Sequence, residues 1–260
     1  MIATNGDIAI AWEEVGRGDP VLLIHGLGYA RWGWEPLVPL LAERYRVISF
    51  DNRGIGESAV PPGPYSASAM AGDALAVLDA ARVERAHVVG TSLGGMIAQE
   101  VALAAHRRRV GRLVLICSTP GATGGHPMPE ATVRLLGEAA GLPPGVAVRR
   151  FVENALGPEP DPSIVERIVG HRLARPQDPA GWAAQAAAGM TYDAAGRAGS
   201  IAAPTLLVAG TADRVVDCRN SVVLSELIPD STVRLIPDGG HLVFWEQPRA
   251  VGDLIIGHLG

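Results

Sequence analysis

The sequence contains no lysine, so all 22 of its basic residues are arginine. A chain without lysine cannot form a Schiff base with a carbonyl substrate and cannot build a lysine-based phosphate loop. It has only two cysteines, Cys117 and Cys218, and neither belongs to a C-x-x-C pair. We therefore expect free thiols in a reducing compartment.

Long apolar runs are also missing. No run reaches the length of a membrane span, and the first residues lack the basic and apolar segments of a signal peptide. We expect a cytoplasmic protein that does not bind membranes. The formal net charge of −5 argues against a nucleic-acid partner. The one basic cluster, Arg107–Arg109, is interpreted as the solvated end of a helix.

Short runs rich in β-branched residues alternate with helix-like segments. The predicted strands are Ile8–Trp12, Val21–Ile24, Val47–Phe50, His87–Val89, Leu113–Ile116, Thr205–Ala209 and Val233–Ile236. Most are apolar on both faces, as strands of a buried parallel sheet are. The predicted helices are Glu35–Glu43, Ser66–Ala81, Leu93–Ala105, Cys218–Leu227 and Gln247–Leu259. This alternation predicts an α/β fold with a mostly parallel, twisted sheet and flanking helices.

One region departs from the alternation. Residues 119–199 show no convincing strand and contain four helical stretches, near 129–140, 145–156, 163–174 and 180–190, each introduced by proline. We interpret residues 119–199, called the cap segment below, as a helical insertion. Residues 1–118 and 200–260 then form the core domain.

The candidate nucleophile is Ser92, in the stretch HVVGTSLGGM. It fits the pattern G-x-S-x-G, with a predicted strand before it and a helix after it. Glycines beside a serine on so sharp a turn let strand and helix approach closely and leave the hydroxyl exposed at the sheet edge. The alternative is a serine that only caps an ordinary helix.

A serine hydroxyl needs a base, and His241 follows the last predicted strand. The six other histidines lack its combination of preceding glycines and strand-end position: His25, His87, His106, His126, His171 and His258. Asp213 follows the penultimate strand and is the candidate acid that orients the base. Asp217 and Asp238 are the rivals, and they are interpreted as a helix cap and a turn former.

Two backbone N–H groups are expected to stabilise the oxyanion, those of Leu27 and Leu93, with Gly28 as the alternative to Leu27. The side chain of His25, in the same glycine-rich loop, is interpreted as a hydrogen bonder that braces the loop. Asp51 and Arg53, in a second glycine-rich loop, are likewise expected to hold loop amides rather than to act on substrate.

With these pieces in place, the chain resembles the α/β-hydrolase superfamily over nearly its whole length. The matching motifs are HG-x-G at 25–28, D-x-R-G-x-G-x-S at 51–58, G-x-S-x-G-G at 90–95 and GGH…EQP at 239–248. The resemblance implies the α/β-hydrolase fold, a helical lid formed by the cap segment, and neither a metal nor an organic cofactor. Serine at position 92 excludes the haloalkane dehalogenases and epoxide hydrolases of this fold, which carry aspartate there.

Within the superfamily the chain is most similar to the small esterase and 3-oxoadipate enol-lactonase branch. This similarity implies hydrolysis of a small carboxylic ester or lactone through an acyl-enzyme. Three alternatives stay open: a C–C bond hydrolase acting on a vinylogous diketone, a perhydrolase side activity, and a ligand receptor with vestigial turnover.

The substrate-binding candidates are Trp32, Trp182 and Trp245, although each could equally pack the cap segment onto the core. A di-acid lactone would require a cationic anchor, for which Arg31, Arg134 and Arg149 are the candidates.

Overall fold

A computed structural model describes residues 1–104, 108–139 and 141–260. Arg107 of the basic cluster, His106, and the predicted helix ends at Ala105 and Ala140 lie outside the described residues.

The described residues form one eight-stranded sheet. Its strands are β1 (Ile2–Asn5), β2 (Ile8–Val15), β3 (Asp19–Ile24), β4 (Tyr45–Phe50), β5 (Ala86–Thr91), β6 (Val110–Ile116), β7 (Thr205–Gly210) and β8 (Ser231–Ile236). Their order is β1-β2-β4-β3-β5-β6-β7-β8. β1 and β2 pair antiparallel with their neighbours, and all the other pairs are parallel. The predicted fold class is therefore confirmed.

Strand β1 is the element that the sequence reading missed. It pairs with β2 from Ile2 opposite Ala11 to Asn5 opposite Ile8. Gly6, at φ +59°, sits in the tight turn that joins the two strands. The signal was present as Gly6-Asp7, the two-residue loop between the paired residues Asn5 and Ile8, because a glycine at the first position is typical of such hairpins.

The helices are α1 (Val38–Ala42), α2 (Ala67–Ala80), α3 (Leu93–Ala104), α4 (Glu130–Ala139), α5 (Pro144–Asn154), α6 (Pro162–Ala174), α7 (Pro179–Met190), α8 (Arg219–Leu227), α9 (Val243–Glu246) and α10 (Pro248–Leu259). The first is shorter than predicted, because Pro39 has no N–H to donate to the carbonyl of Glu35, where the predicted helix began. Among the described helices, none combines the length and the apolar character needed to span a bilayer.

Hydrophobic clusters cover both faces of the sheet. One contains buried side chains of α2, α3 and α8, and the other contains those of α1, α9 and α10. The cap segment contributes to both, since Ala184 and Ala188 of α7 join the first cluster while Val152 of α5 and Ile168 of α6 join the second. The cap helices therefore pack onto the core rather than stand apart from it.

The cap segment leaves the sheet and returns to it at one place. A bridge joins Gly121 to Asp193, and the N–H of Ala194 donates to the carbonyl of Pro120 at 2.8 Å. No strand occurs among its described residues, as predicted. The division into a core domain and a cap stays a prediction.

Helix α3 packs backbone to backbone on β3, and this contact generates a test. A Cβ on Gly94 would overlap the carbonyl oxygen of Ile24, whereas one on Gly170, in α6, would meet no described atom within 4 Å. We expect Gly94→Ala to destabilise the fold by about 3 kcal/mol or more. Gly170→Ala is the control and should be neutral or stabilising by up to about 1 kcal/mol.

Urea unfolding of the two variants beside the parent chain measures both changes. Equal stabilities of the Gly94→Ala and Gly170→Ala variants would contradict the tight contact.

Candidate active site

Ser92 lies on the turn between β5 and α3 in a left-handed backbone conformation, with φ +55°. Such a conformation costs a non-glycine residue on the order of 1–3 kcal/mol and persists only when its surroundings enforce it. Here the Ser92 N–H donates to the carbonyl of Ile116 on β6 at 2.9 Å. The strained strand-to-helix turn predicted from the sequence is therefore present.

The positions around Ser92 require glycine, because a side chain there would overlap neighbouring atoms. A Cβ on Gly90 would overlap the carbonyl of Gly94, in the first turn of α3. A Cβ on Gly26, in the loop after β3, would lie 2.9 Å from the Ser92 Cβ. The serine is thus enclosed by backbone on two sides and is left half-buried.

The structure brings His241 and Asp213 together. His241 Nδ1–H donates to Asp213 Oδ2 at 2.8 Å, and both side chains are buried. The other carboxylate oxygen, Oδ1, accepts the N–H groups of Val215 at 2.7 Å and Val216 at 2.9 Å. Because a carboxylate only accepts, the imidazole carries its proton on Nδ1 and leaves Nε2 free to act as a base.

The loops that carry this pair are tied to the end of α5. Glu246 accepts the N–H of Gly240 at 2.7 Å and the N–H of Gly157 at 2.6 Å. The Arg214 guanidinium, next to the candidate acid, donates to the carbonyls of Glu153 and Leu156, each at 2.9 Å. The cap segment therefore helps to position the histidine loop and the aspartate loop.

Two residues that follow β6 contact the serine and the Asp213–His241 pair respectively. Ser118 Oγ donates to the Ser92 carbonyl at 3.1 Å. Cys117 Sγ, Asp213 and His241 offer ligand-type atoms that all lie within 4.8 Å of one another. The sequence reading missed this contact, although the end of β6, beside β5, was the signal for it.

Cys117 makes a poor metal ligand despite these neighbours. Burial, and then the Asp213 charge, raise the pKa of its thiol well above the ordinary value, so the sulfur stays protonated. Metal ligation requires the thiolate. We therefore interpret Cys117 as a neutral neighbour of the Asp213–His241 pair. Both cysteines are free, as predicted.

The amides proposed for the oxyanion lie at the same edge of the sheet. Leu93 is the first residue of α3, and intrahelical bonding leaves such an N–H unpaired. The N–H of Gly26 is occupied, because it donates to His25 Nδ1 at 2.7 Å. Within the described residues the N–H groups of Leu27 and Gly28 donate to no protein acceptor. The choice between them stays a prediction.

His25 braces this loop, as the sequence reading expected. Its ring stacks on Tyr29 with centroids 4.7 Å apart and meets Trp34 edge-on at 4.9 Å. Burial lowers the pKa of His25 to about 3. The imidazole is therefore neutral at physiological pH.

In the second glycine-rich loop Asp51 holds loop amides as expected, whereas Arg53 binds a carboxylate of α2 rather than loop amides. Asp51 accepts the N–H groups of Arg31 at 2.8 Å and of Glu57 at 2.9 Å. Arg53 donates to both carboxylate oxygens of Asp73, at 2.6 and 2.7 Å. Both charges are thus engaged in holding the loop.

The three candidate tryptophans occupy different surroundings. Trp32 stacks on His171 of α6 with centroids 4.6 Å apart. Trp245 is only 3 % exposed, and its indole N–H donates to the carbonyl of Gly33 at 2.9 Å. Trp182, on α7, is half-buried. The first two therefore make packing contacts, and the role of all three in substrate binding stays a prediction.

Each of the three candidate cationic anchors forms an ion pair. Arg31 pairs with Asp51 at 2.6 Å, Arg134 with Glu130 at 3.3 Å, and Arg149 with Glu166 at 2.8 Å. A substrate carboxylate at any of them would have to displace a protein carboxylate.

A serine on a strained strand-to-helix turn, with a His–Asp pair on the loops after the last two strands, defines a class of hydrolase scaffold. The chain belongs to the α/β-hydrolase fold family, whose model matches residues 19–248.

Relatives within this family carry several hydrolase names. The chain is 31 % identical to a putative carbamate hydrolase RutD of Azorhizobium caulinodans, over 99 % of this chain and 97 % of that one. It is 32 % identical to a 2-hydroxy-6-oxononadienedioate/2-hydroxy-6-oxononatrienedioate hydrolase of Cupriavidus pinatubonensis, over 98 % and 91 %. It is 30 % identical to 3-oxoadipate enol-lactonase 2 of Acinetobacter baylyi, over 95 % and 91 %.

Among solved structures, the chain is similar to Est816, described as an N-acyl homoserine lactone degrading enzyme. The TM-score is 0.83 and the identity is 32 %, and the match covers 99 % of each chain. The resemblance to the superfamily and to its enol-lactonase branch, drawn from the motifs, is therefore confirmed.

The buried, neutral His25 makes stability depend on pH. Its pKa is about 3 in the folded chain, against 6.5 for an unperturbed histidine, so between these values only the unfolded state binds the proton. The His25 contribution is therefore fully present above pH 6.5 and is lost as the pH falls toward 3. We expect the free energy of unfolding to fall from pH 7 to pH 4.5, and less steeply in a His25→Gln variant. Urea unfolding across this range measures both slopes, and identical slopes would contradict the buried neutral state.

The Asp213 carboxylate holds the imidazole tautomer, whereas Asp217 binds the exposed Arg219. We expect Asp213→Asn to lower kcat by about 10³- to 10⁴-fold with little change in fold. Asp217→Asn is the matched control and should keep kcat within about twofold. Steady-state kinetics on a 4-nitrophenyl ester compares them. A loss of kcat confined to the Asp217→Asn variant would assign the role of the acid to Asp217 instead.

Proposed function

We propose that this chain is a serine hydrolase that cleaves a small carboxylic ester or lactone through an acyl-enzyme. The observation that carries the proposal is the backbone of Ser92, held at φ +55° on a turn that only glycine neighbours allow. A helix-capping serine would not need this conformation.

In the proposed reaction Ser92 Oγ attacks the acyl carbonyl while His241 Nε2 takes the hydroxyl proton. The carbonyl oxygen becomes negative and is stabilised by the amides of Leu93 and Leu27. Asp213 stabilises the imidazolium that forms. His241 then donates the proton to the departing alcohol or enolate, and the acyl group stays on the serine.

The second step regenerates the enzyme. A water molecule attacks the acyl carbonyl, and His241 accepts one of its protons. The same amides stabilise the second oxyanion, and collapse of this intermediate releases the carboxylic acid while His241 returns the proton to Ser92 Oγ. Water thus supplies one oxygen of the carboxylic acid. Ser92 and His241 return to the protonation states in which they started.

The neutral surroundings of the site support His241 as the base for ester or lactone cleavage. His25 is uncharged at the loop, since burial lowers its pKa to about 3, and Cys117 is protonated. Neither group competes with His241 for the serine proton. The relative named enol-lactonase and the lactone-degrading Est816 are in line with this substrate class.

A C–C bond hydrolase is the second candidate, because one relative at 32 % identity is named for a dienedioate substrate. The same serine, histidine and oxyanion amides would serve it, with a carbanion as the leaving group in place of an alkoxide. Product analysis separates the two reactions. Ester cleavage releases a carboxylic acid and an alcohol, whereas C–C cleavage releases a carboxylic acid and a fragment whose terminal carbon has gained a hydrogen. A ligand receptor would show a single slow turnover instead.

We expect Ser92→Ala to abolish turnover of 4-nitrophenyl esters and covalent labelling by a fluorophosphonate, with the fold intact. Ser225→Ala, at a half-buried position of α8, is the matched control and should keep both. Ester kinetics over acyl chains of two to eight carbons, with intact-mass measurement of the labelled protein, provides the readout. Labelling of a folded Ser92→Ala variant at the wild-type rate would reject the proposed nucleophile.

A further inference from the structure

A cleft of about 680 Å³, called the cap cleft below, lies between helices α4, α5 and α6 of the cap segment. Small-molecule sites in proteins have volumes of about 300–1,000 Å³. Ser92, Asp213 and His241 do not line this cleft, whereas Arg214, the residue after the proposed acid, does. The cap cleft is therefore separate from the proposed catalytic site, although the aspartate loop forms part of its wall.

Part of the cap cleft is apolar. Leu135 of α4 and Val165 of α6 line it, and they are 5 % and 4 % exposed. Three prolines between the end of α5 and the first residue of α6 extend this apolar lining: Pro158, Pro160 and Pro162. An apolar ligand group placed against these side chains is removed from water and needs no hydrogen-bond partner.

The remainder of the lining is mostly cationic. Two carboxylates line the cleft, those of Glu153 and Glu166, against four arginines: Arg134, Arg149, Arg150 and Arg214. The first three arginines form ion pairs in which every side chain is at least 40 % exposed. Such exposed pairs contribute little to stability, because water screens both charges. An incoming anion can therefore compete for these guanidinium groups at little cost.

Arg214 differs from the other three because it has no carboxylate partner. Its Nη2 donates to the carbonyls of Glu153 and Leu156, each at 2.9 Å, and to that of Gly157 at 3.4 Å. Within the described residues, Nε and Nη1 donate to no acceptor. The residues outside them are two alanines, a histidine and an arginine, so every carboxylate side chain is accounted for. The Nε–H and both Nη1–H groups are thus open to a ligand.

The aspartate loop is tied to α4 and α5 beside the cap cleft. Thr132 Oγ1–H, on α4, donates to the backbone carbonyl of Arg214. Asn154 lines the cleft, and its Nδ2 donates to Thr132 Oγ1 at 2.6 Å. The N–H groups of the two residues that follow Arg214 donate to Asp213 Oδ1 at 2.7 and 2.9 Å. A ligand that binds the Arg214 side chain therefore acts on the loop whose backbone orients the Asp213 carboxylate.

We propose that the cap cleft binds an organic anion that joins a carboxylate or phosphate group to an apolar body, and that the bound anion stabilises the aspartate loop through Arg214. The anionic group accepts the open N–H groups of Arg214, and the apolar body packs on Leu135 and Val165. A guanidinium suits both kinds of oxyanion. The site does not rest on the proposed function, because none of its groups takes part in the proposed reaction.

Calorimetric titration of the wild-type chain with hexanoate and with hexyl phosphate tests the site, and 1-hexanol is the uncharged match. We expect at least one of the two anions to bind at least about tenfold more tightly than hexanol. Its affinity should fall as the salt concentration rises from about 0.05 M to about 0.5 M. The two head groups distinguish a carboxylate ligand from a phosphate ligand. No binding of either anion up to about 10 mM, or equal affinity for hexanol, would overturn the proposal.

Two substitutions locate the bound anion. Arg214→Gln removes the open cation and should weaken binding of the preferred anion by roughly 10-fold or more. Arg150→Gln leaves the contacts of the aspartate loop in place and should weaken it by about threefold. Arg249→Gln, at an exposed position of α10 outside the cleft, is the control and should bind as the wild type does. Full affinity in a folded Arg214→Gln variant, or in Arg150→Gln where the first does not fold, would reject the site.

Amide hydrogen exchange tests the effect on the aspartate loop and requires no turnover. The N–H groups of Val215 and Val216, which donate to Asp213, should exchange at least about threefold more slowly when the preferred anion is bound. The N–H of Glu57, which donates to Asp51 in the second glycine-rich loop, is the control and should exchange at an unchanged rate. Binding of the anion without slower exchange at the two valines would contradict the role given to Arg214.

Discussion

The close contact between the start of α3 and the end of β3 is the constraint on which the site depends. No side chain fits between Gly94 and the Ile24 carbonyl, nor between Gly90 and the first turn of the helix. With strand and helix held this near, the single residue that joins them has no relaxed conformation available, and Ser92 takes a left-handed one. The packing of the core thus determines the position of the proposed nucleophile.

Most charged groups near this serine are already engaged in hydrogen bonds or ion pairs within the chain. Asp213 is saturated by one imidazole N–H and two backbone N–H groups, and Asp51 by loop amides and Arg31. The nearby titratable groups His25 and Cys117 are kept neutral by burial, which lowers the pKa of the first and raises that of the second.

The features that depend on local sequence pattern could be predicted. Apolar runs predicted the strands, and glycines around Ser92 predicted the turn, because both signals lie within a few residues of the element they describe. The stacking of Trp32 on His171 could not be found in this way. The two residues are far apart in the chain, and only the fold brings their rings together. The contact of Cys117 with the Asp213–His241 pair likewise depends on the order of β6 and β7 in the sheet.

The ties between the end of α5 and the histidine and aspartate loops bear on how the cap segment can be exchanged. Glu246 holds the amides of Gly157 and Gly240 together, and Arg214 binds carbonyls at the end of the same helix. A chimera that exchanges the cap segment for that of a relative must therefore carry a compatible turn at Leu156–Gly157. The turn after α5 is therefore the part of the cap segment whose geometry the histidine loop and the aspartate loop share.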